Sequence, residues 1–262
     1  MSGSLVVARR ELFGLFTAPF TWIVLVVVLG LNGMLFNAVL AGTNGSIMDA
    51  LSNVMAGPLF WLWMVVLPAL LAMRLIAEES RTGTLEYLLT APVGDAAVVT
   101  GKFLAAAGFL ALLWTSALLY AGAVSSVGGA PDWPAVLGTW LGAILVSSMF
   151  VAIGLFASTF TSTPLLAAFL AMVACVLWLA LPVLIGEVLG YVVPLIARTE
   201  DARQLVYERA SAVLTNMDAS THFERSFKKG IFDTSEVVFF LTWTALFLFL
   251  TARSLEARRW RG

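Results

Sequence analysis

The residues best able to do chemistry lie together in one charged stretch, Ala77 to Phe103, set between two long apolar segments. Its core, Gly83-Thr84-Leu85-Glu86-Tyr87-Leu88-Leu89-Thr90-Ala91-Pro92, reads as a short amphipathic helix. Thr82 or Thr84 can cap its start, and Pro92 disfavours helical geometry at Ala91 and so stops it. Leu85, Leu88 and Leu89 fall at i, i+3 and i+4, on one side, with Glu86 beside them. The chemistry of such a stripe is recognition. Its apolar area has to be covered, either by another protein or by the chain's own membrane helices, and the residues leave both readings open.

Other chemistries find less support. Gly101-Lys102 looks like the end of a phosphate-binding loop, but Ala96 and Phe103 stand where the first glycine and the Mg²⁺-binding hydroxyl belong. An ATP-binding motif is therefore not expected, nor an enzymatic activity of the chain's own. The single histidine, His222, falls outside the apolar segments and is expected to be an ordinary surface residue. One cysteine, Cys175, lies in an apolar run, which excludes a disulfide framework and a Cys-rich metal site and assigns it to packing. A net charge of −1 argues against nucleic acid as a partner.

These residues need a scaffold, and the composition names its solvent. Of 262 residues, 60% are hydrophobic and 12% charged, against about 25% charged in an ordinary soluble domain. A spanning helix needs about 20 apolar residues. Six segments qualify, at 20–40, 58–73, 103–124, 135–156, 165–189 and 237–252, giving an all-α integral membrane protein with a single transmembrane domain over 1–262. Arg74 and Glu187 lie at the ends of these segments. A charge at the bilayer centre costs about 2.5–3.5 kcal/mol on insertion scales, and an ion-coupled carrier accepts that cost. Its absence here weakens the carrier and intramembrane-protease classes. Asn32, Asn37, Thr115, Ser116, Ser147 and Ser148 are expected to bond between helices, and Gly138 with Gly142 to allow a close approach.

Ahead of the first span, Val6, Phe13, Phe16 and Phe20 recur at helical spacing with Arg9, Arg10 and Glu11 on other faces, predicting an amphipathic helix over 1–19 on the membrane surface. The Lys and Arg residues near span ends fall on one side, and the loops 41–57 and 125–134 contain none. This asymmetry places both termini and the 78–102 loop in the cytoplasm. The segment 190–236 is then external, with a helix predicted over 199–214 and a second over 218–229 ended by Gly230. It would cover an exit, bind a partner or merely connect.

Glu79, Gly83-Thr84-Leu85-Glu86, Leu88-Leu89-Thr90 and Pro92, followed by Gly101-Lys102, resemble the first cytoplasmic loop of type-2 ABC exporter permeases. Arg10-Glu11-Leu12 with Pro19 is similar to the elbow helix that opens those proteins. The run Phe227-Lys228-Lys229-Gly230-Ile231-Phe232-Asp233 resembles the gliding-motility-associated permeases and their nitrous-oxide-reductase-maturation relatives. The resemblance implies a bacterial inner-membrane permease with a cytoplasmic coupling helix. Arg81, Gly83, Thr84, Leu85, Glu86, Leu88, Leu89 and Pro92 would dock a separate ABC ATPase subunit, and Arg10 and Glu11 would mark the elbow. It also implies two ATPase copies holding ATP and Mg²⁺, a second permease chain (identical or related), a minor ATPase contact at 157–164, and an external accessory protein at 190–236. A secondary carrier, and a structural anchor that transmits ATPase motion without transport, are the alternatives.

Overall fold

In the computed structural model, which describes residues 3–42, 47–83, 94–126, 128–196 and 199–259, every regular element among the described residues is helical. Six helical segments are long and apolar enough to cross a membrane: Pro19–Gly42, Asp49–Thr82, Asp95–Ser126, Trp133–Ser158, Pro164–Ile196 and Thr234–Ala257. Each contains one of the six segments read from the sequence. Along the chain the helices are α1 (Gly3–Thr17), α2 (Pro19–Gly42), α3 (Ile47–Ala56), α4 (Pro58–Ala72) and α5 (Glu78–Thr82). Then come α6 (Asp95–Trp114), α7 (Ser116–Ser126), α8 (Trp133–Ser158), α9 (Pro164–Ile196), α10 (Glu200–Thr215), α11 (Ala219–Arg225) and α12 (Thr234–Arg259).

α8 is the central helix. It carries small residues among large apolar ones, so neighbours approach it closely, and it packs against α4, α6, α9 and α12 with Val146, Met149, Phe150 and Leu155 buried. α2, α9 and α12 leave most of their apolar surface outward, as lipid-facing helices do. The start of α6 and the far end of α12 meet where Val99 packs on Leu255. α1 and the end of α12 therefore share one end of the bundle, here called the terminal end.

Several expectations are corrected. The loop read at 41–57 contains α3, whose Leu51 and Met55 pack with Ala117 and Ala121; Gly57, in extended geometry, then turns the chain into α4 at Pro58. Between α4 and α5 the helix widens into a π turn at Met73–Ala77, and Arg74 pairs with Glu78 at 3.8 Å while its guanidinium lies over the Phe20 ring. Glu187 keeps its place at the end of the apolar segment, but α9 itself continues past it to Ile196. Of the polar residues within spans, Asn32 accepts from Trp63 and Thr115 accepts from Trp140 across helices. Asn37, Ser147 and Ser148 instead bond back to carbonyls of their own helices.

Gly138 and Gly142 face no spanning helix. A β-carbon at Gly142 would lie 2.7 Å from Phe227 Cβ, and Gly138 abuts the Phe227 carbonyl. The 190–236 segment is thus two different pieces. α10 lies along α9, whereas α11 and the 3₁₀ turn Phe227–Lys229 sit against α8, driving Phe223 and Phe227, both fully buried, onto Phe60 and Phe240. Gly230 closes the turn with φ of 70°, a left-handed conformation that glycine adopts without penalty. The predicted helices at 199–214 and 218–229 agree with α10 and with α11 plus this turn, capped by Thr199 and Asp218 as their side-chain chemistry allows.

Candidate functional site

α1 is held against the first half of α6. Val7 and Leu15, two turns apart, are buried on one face, and Glu11 lies between them at i+4. Val6 and Phe13, read as the apolar face toward the membrane surface, are exposed and do not take part in the contact with α6. Charge explains the choice: the face that meets α6 is the one carrying Glu11, because α6 offers a cation there. The close approach depends on Gly101, where a β-carbon would sit 2.7 Å from Val7 Cβ and 2.8 Å from the Ser4 carbonyl. Phe16 adds an edge contact to Phe109, and Trp22 Nε1 donates to the Phe16 carbonyl, which fixes the corner between α1 and α2.

Next to Gly101 the side chain of Lys102 is wholly buried, although it stands two turns inside α6. Its Nζ lies 2.7 Å from Glu79 Oε2 and 3.2 Å from Glu11 Oε1. Arg10 Nη2 lies 2.5 Å from Glu11 Oε1 and 3.1 Å from Glu79 Oε1. Two cations and two carboxylates alternate, so a net charge of zero is gathered from three elements, α1, α5 and α6. Arg10 is half exposed; both carboxylates are largely covered. Burial alone would push the Glu11 carboxyl up, but the Lys102 charge and the Arg10 hydrogen bond outweigh it and hold the group below its ordinary value. The hydrogen bond from Arg10 to Glu11 raises the guanidinium further above its own value, against the opposing effect of burial.

This arrangement has no nucleophile beside a base. It is an ion cluster that joins three helices, and its members flank the loop singled out in the sequence. Glu79 lies one turn before Gly83, which ends α5 in left-handed geometry with φ of 74°. Thr82 Oγ1 donates back to the Glu78 and Glu79 carbonyls, and Arg81 is exposed. Beyond the loop, Gly94 is extended and α6 begins at Asp95. Thr84, Leu85, Glu86, Leu88, Leu89 and Pro92 lie outside the described residues. Arg10 and Glu11 are brought into the site; Glu79 and Lys102 complete it.

At the opposite end a cleft of about 420 Å³ opens between α3, the start of α8 and the 3₁₀ turn, with Asp49, Asp132, Glu224, Lys228 and Lys229 around it. His222, expected at the surface, is corrected. Its ring is mostly covered, stacks on Phe239 at 4.0 Å, and joins Glu236 of α12 through Nδ1. Asn216 also contacts it through its carbonyl at 3.2 Å.

Six apolar helices long enough to cross a membrane, with an ion cluster joining α1, α5 and α6, define a multi-pass helical membrane protein. Residues 32–260 match the model of the ABC-2 family transporter proteins, and the chain belongs to that family. Compared with curated proteins, it matches none.

Proposed function

We propose that this chain is the permease subunit of an ATP-driven ABC exporter in a bacterial inner membrane, with both termini and the 84–93 loop in the cytoplasm. The supporting observation is the neutral cluster Arg10–Glu11–Glu79–Lys102, which ties the helices before and after that loop to each other and to α1. A push delivered to a loop on two independent helices is lost in their separate bending. Delivered to helices clamped at their base, it tilts them as one body. The ABC ATPase partner would hold ATP and Mg²⁺, Leu85, Leu88 and Leu89 would meet it, and two permease chains would pair with two ATPase copies.

A second reading rests on the outer segment. Phe227 is wedged against Gly142 of α8, the helix that also packs on α4 and α6, so tilting the clamped helices displaces the segment on the far side. Work on an external protein then accompanies or replaces transport, which is the behaviour implied by the likeness of 227–233 to the gliding-motility and nitrous-oxide-reductase-maturation permeases. The test is co-purification of the tagged chain with an ABC ATPase from its native cells, followed by ATP turnover in nanodiscs. Stoichiometric recovery and turnover that depends on the permease support the reading. Solute movement by the chain alone, driven by an ion gradient, would replace it with a secondary carrier.

A further inference from the structure

Between the outer half of α9 and α10 runs a groove of about 640 Å³, lined by Ile185, Leu189, Leu205, Val213, Leu214 and Met217, with one charged residue on it, Arg209. Helix α9 has 33 residues, about 50 Å at 1.5 Å per residue, while the hydrocarbon core is about 30 Å thick. With Pro164 at one boundary, the other falls near residue 184, so Ile185 and Leu189 begin where acyl chains meet headgroups. α10 turns back along α9. Tyr207 Oη donates at 3.4 Å to the Gly190 carbonyl, which Pro194 leaves without its helical donor. Arg203 donates at 3.3 Å to the Pro194 carbonyl near the helix end. These two bonds fasten α10 to the outer end of α9, beside the groove.

On α10 the residues facing this groove recur at helical spacing, and Arg209 sits in the middle of them with Leu205, Val206, Ala212 and Val213 at its i±3 and i±4 positions. None of these can pair with it, and among the described residues Arg209 makes no ion pair. An unpaired guanidinium at headgroup depth, above an open apolar channel, has the complement of a phosphate ester with an acyl chain attached. A protein partner would need an acidic side chain poised at the same depth; an acidic lipid supplies the anion and the apolar tail together. We infer that this groove binds one anionic phospholipid of the leaflet on the α10 side, its phosphate on Arg209 and one acyl chain along Leu189, Val213 and Leu214.

The full chain, reconstituted in nanodiscs containing phosphatidylglycerol with a photoactivatable acyl chain, tests this. Cross-links should map to α9 after residue 184 and to α10, and exceed those from the matching phosphatidylcholine by about fivefold or more. Arg209→Gln should bring that ratio to about one, and Val213→Trp, at an exposed position, should reduce labelling by both lipids at least fivefold with unchanged elution on gel filtration. Labelling that is absent, or that neither substitution alters, would overturn the assignment. Efficient disulfide formation between Val213→Cys chains would also overturn it, by showing a second copy on the groove.

Discussion

Lys102 Nζ and Glu79 Oε2 stand 2.7 Å apart on the two sides of the 84–93 loop, with the lysine entirely withdrawn from solvent. A buried cation is tolerated only with its countercharges in place, so the pair behaves as a lock between α5 and α6. Removing one partner of such a pair costs about 3–5 kcal/mol, because the other charge stays buried and uncompensated. Lys102→Met is therefore expected to lower the thermal stability of the purified chain strongly. Lys102→Met with Glu79→Gln should recover much of the loss, since Arg10 and Glu11 then remain as a neutral pair. A double-mutant cycle in thermal unfolding reads the coupling; additive losses would show that the two side chains do not act as a unit.

The clamp also has a pH signature. The Glu11 carboxyl is held below its ordinary value of 4.5 in the folded chain. Its contribution is full above pH 4.5 and disappears as the pH falls through the lower folded value. Between pH 7 and pH 5 the wild-type chain and Glu11→Gln should keep a constant difference in melting temperature. Below pH 4.5 that difference should shrink toward zero. Asp218, held low by hydrogen bonds from Ser220 and Thr221 against the opposing effect of burial, titrates alike in both proteins and drops out of the comparison.

Gly101 supplies the steric half of the same joint. Valine at this position would drive its side chain into Val7 and the Ser4 carbonyl, both of which a β-carbon already reaches within 2.8 Å. Gly101→Val should displace α1 from α6 without unfolding the spans. Cysteines at Ser4 and Ala97 would report this through changed cross-linking yield; an unchanged yield would refute the role given to Gly101.

The spans were legible in the sequence because a bilayer demands a continuous apolar length, and all six segments are long enough to declare themselves. The places of Glu79 and Lys102 in the joint were not. Glu79 and Lys102 read as loop charges, because hydropathy begins the third span at Phe103, whereas helical geometry begins it at Asp95. The trace that was present is the pairing of a close-approach glycine with a lysine at the edge of an apolar run. Gly138 and Gly142 read as permitting a close helix approach, but spacing alone does not say what approaches; it is Phe227, from a segment whose role as exit cover, partner site or connector the sequence left open. His222 misled for the same reason, since its partner Glu236 lies in another element.

Phe227 fills that notch with no exposed surface. Phe227→Ala removes a buried ring against a glycine surface that cannot follow it inward, and losses of about 3–5 kcal/mol accompany such truncations. Gly142→Leu attacks the same contact from α8 and should be at least as harmful. If force reaches the outer segment through this wedge, a milder change, Phe227→Leu, should keep ATPase binding yet weaken the response of the segment to ATP. Amide exchange over 219–230 with and without nucleotide measures that response; equal protection in both proteins would show that the wedge only packs.

The most direct test of the functional proposal concerns Leu85 and Leu89. Gly83 ends α5 in a left-handed turn and extended Gly94 precedes α6; in sequence, both leucines fall between these two points. Burying one leucine side chain contributes about 1.5–3 kcal/mol, and losing two would weaken an interface by several powers of ten. Glu86 beside them would add under about 1 kcal/mol if its pair stays exposed, so it serves register more than affinity. Leu85→Asp with Leu89→Asp should release the ATPase partner while the permease still inserts and melts normally, because neither leucine belongs to the cluster of Arg10, Glu11, Glu79 and Lys102. Glu86→Lys should leave a complex with reduced ATP turnover. Co-purification and ATPase assay in nanodiscs separate these outcomes. Should the double aspartate variant retain its ATPase at the wild-type ratio and rate, the stripe must instead be covered by the chain's own helices, and the loop would lose its role as the docking surface.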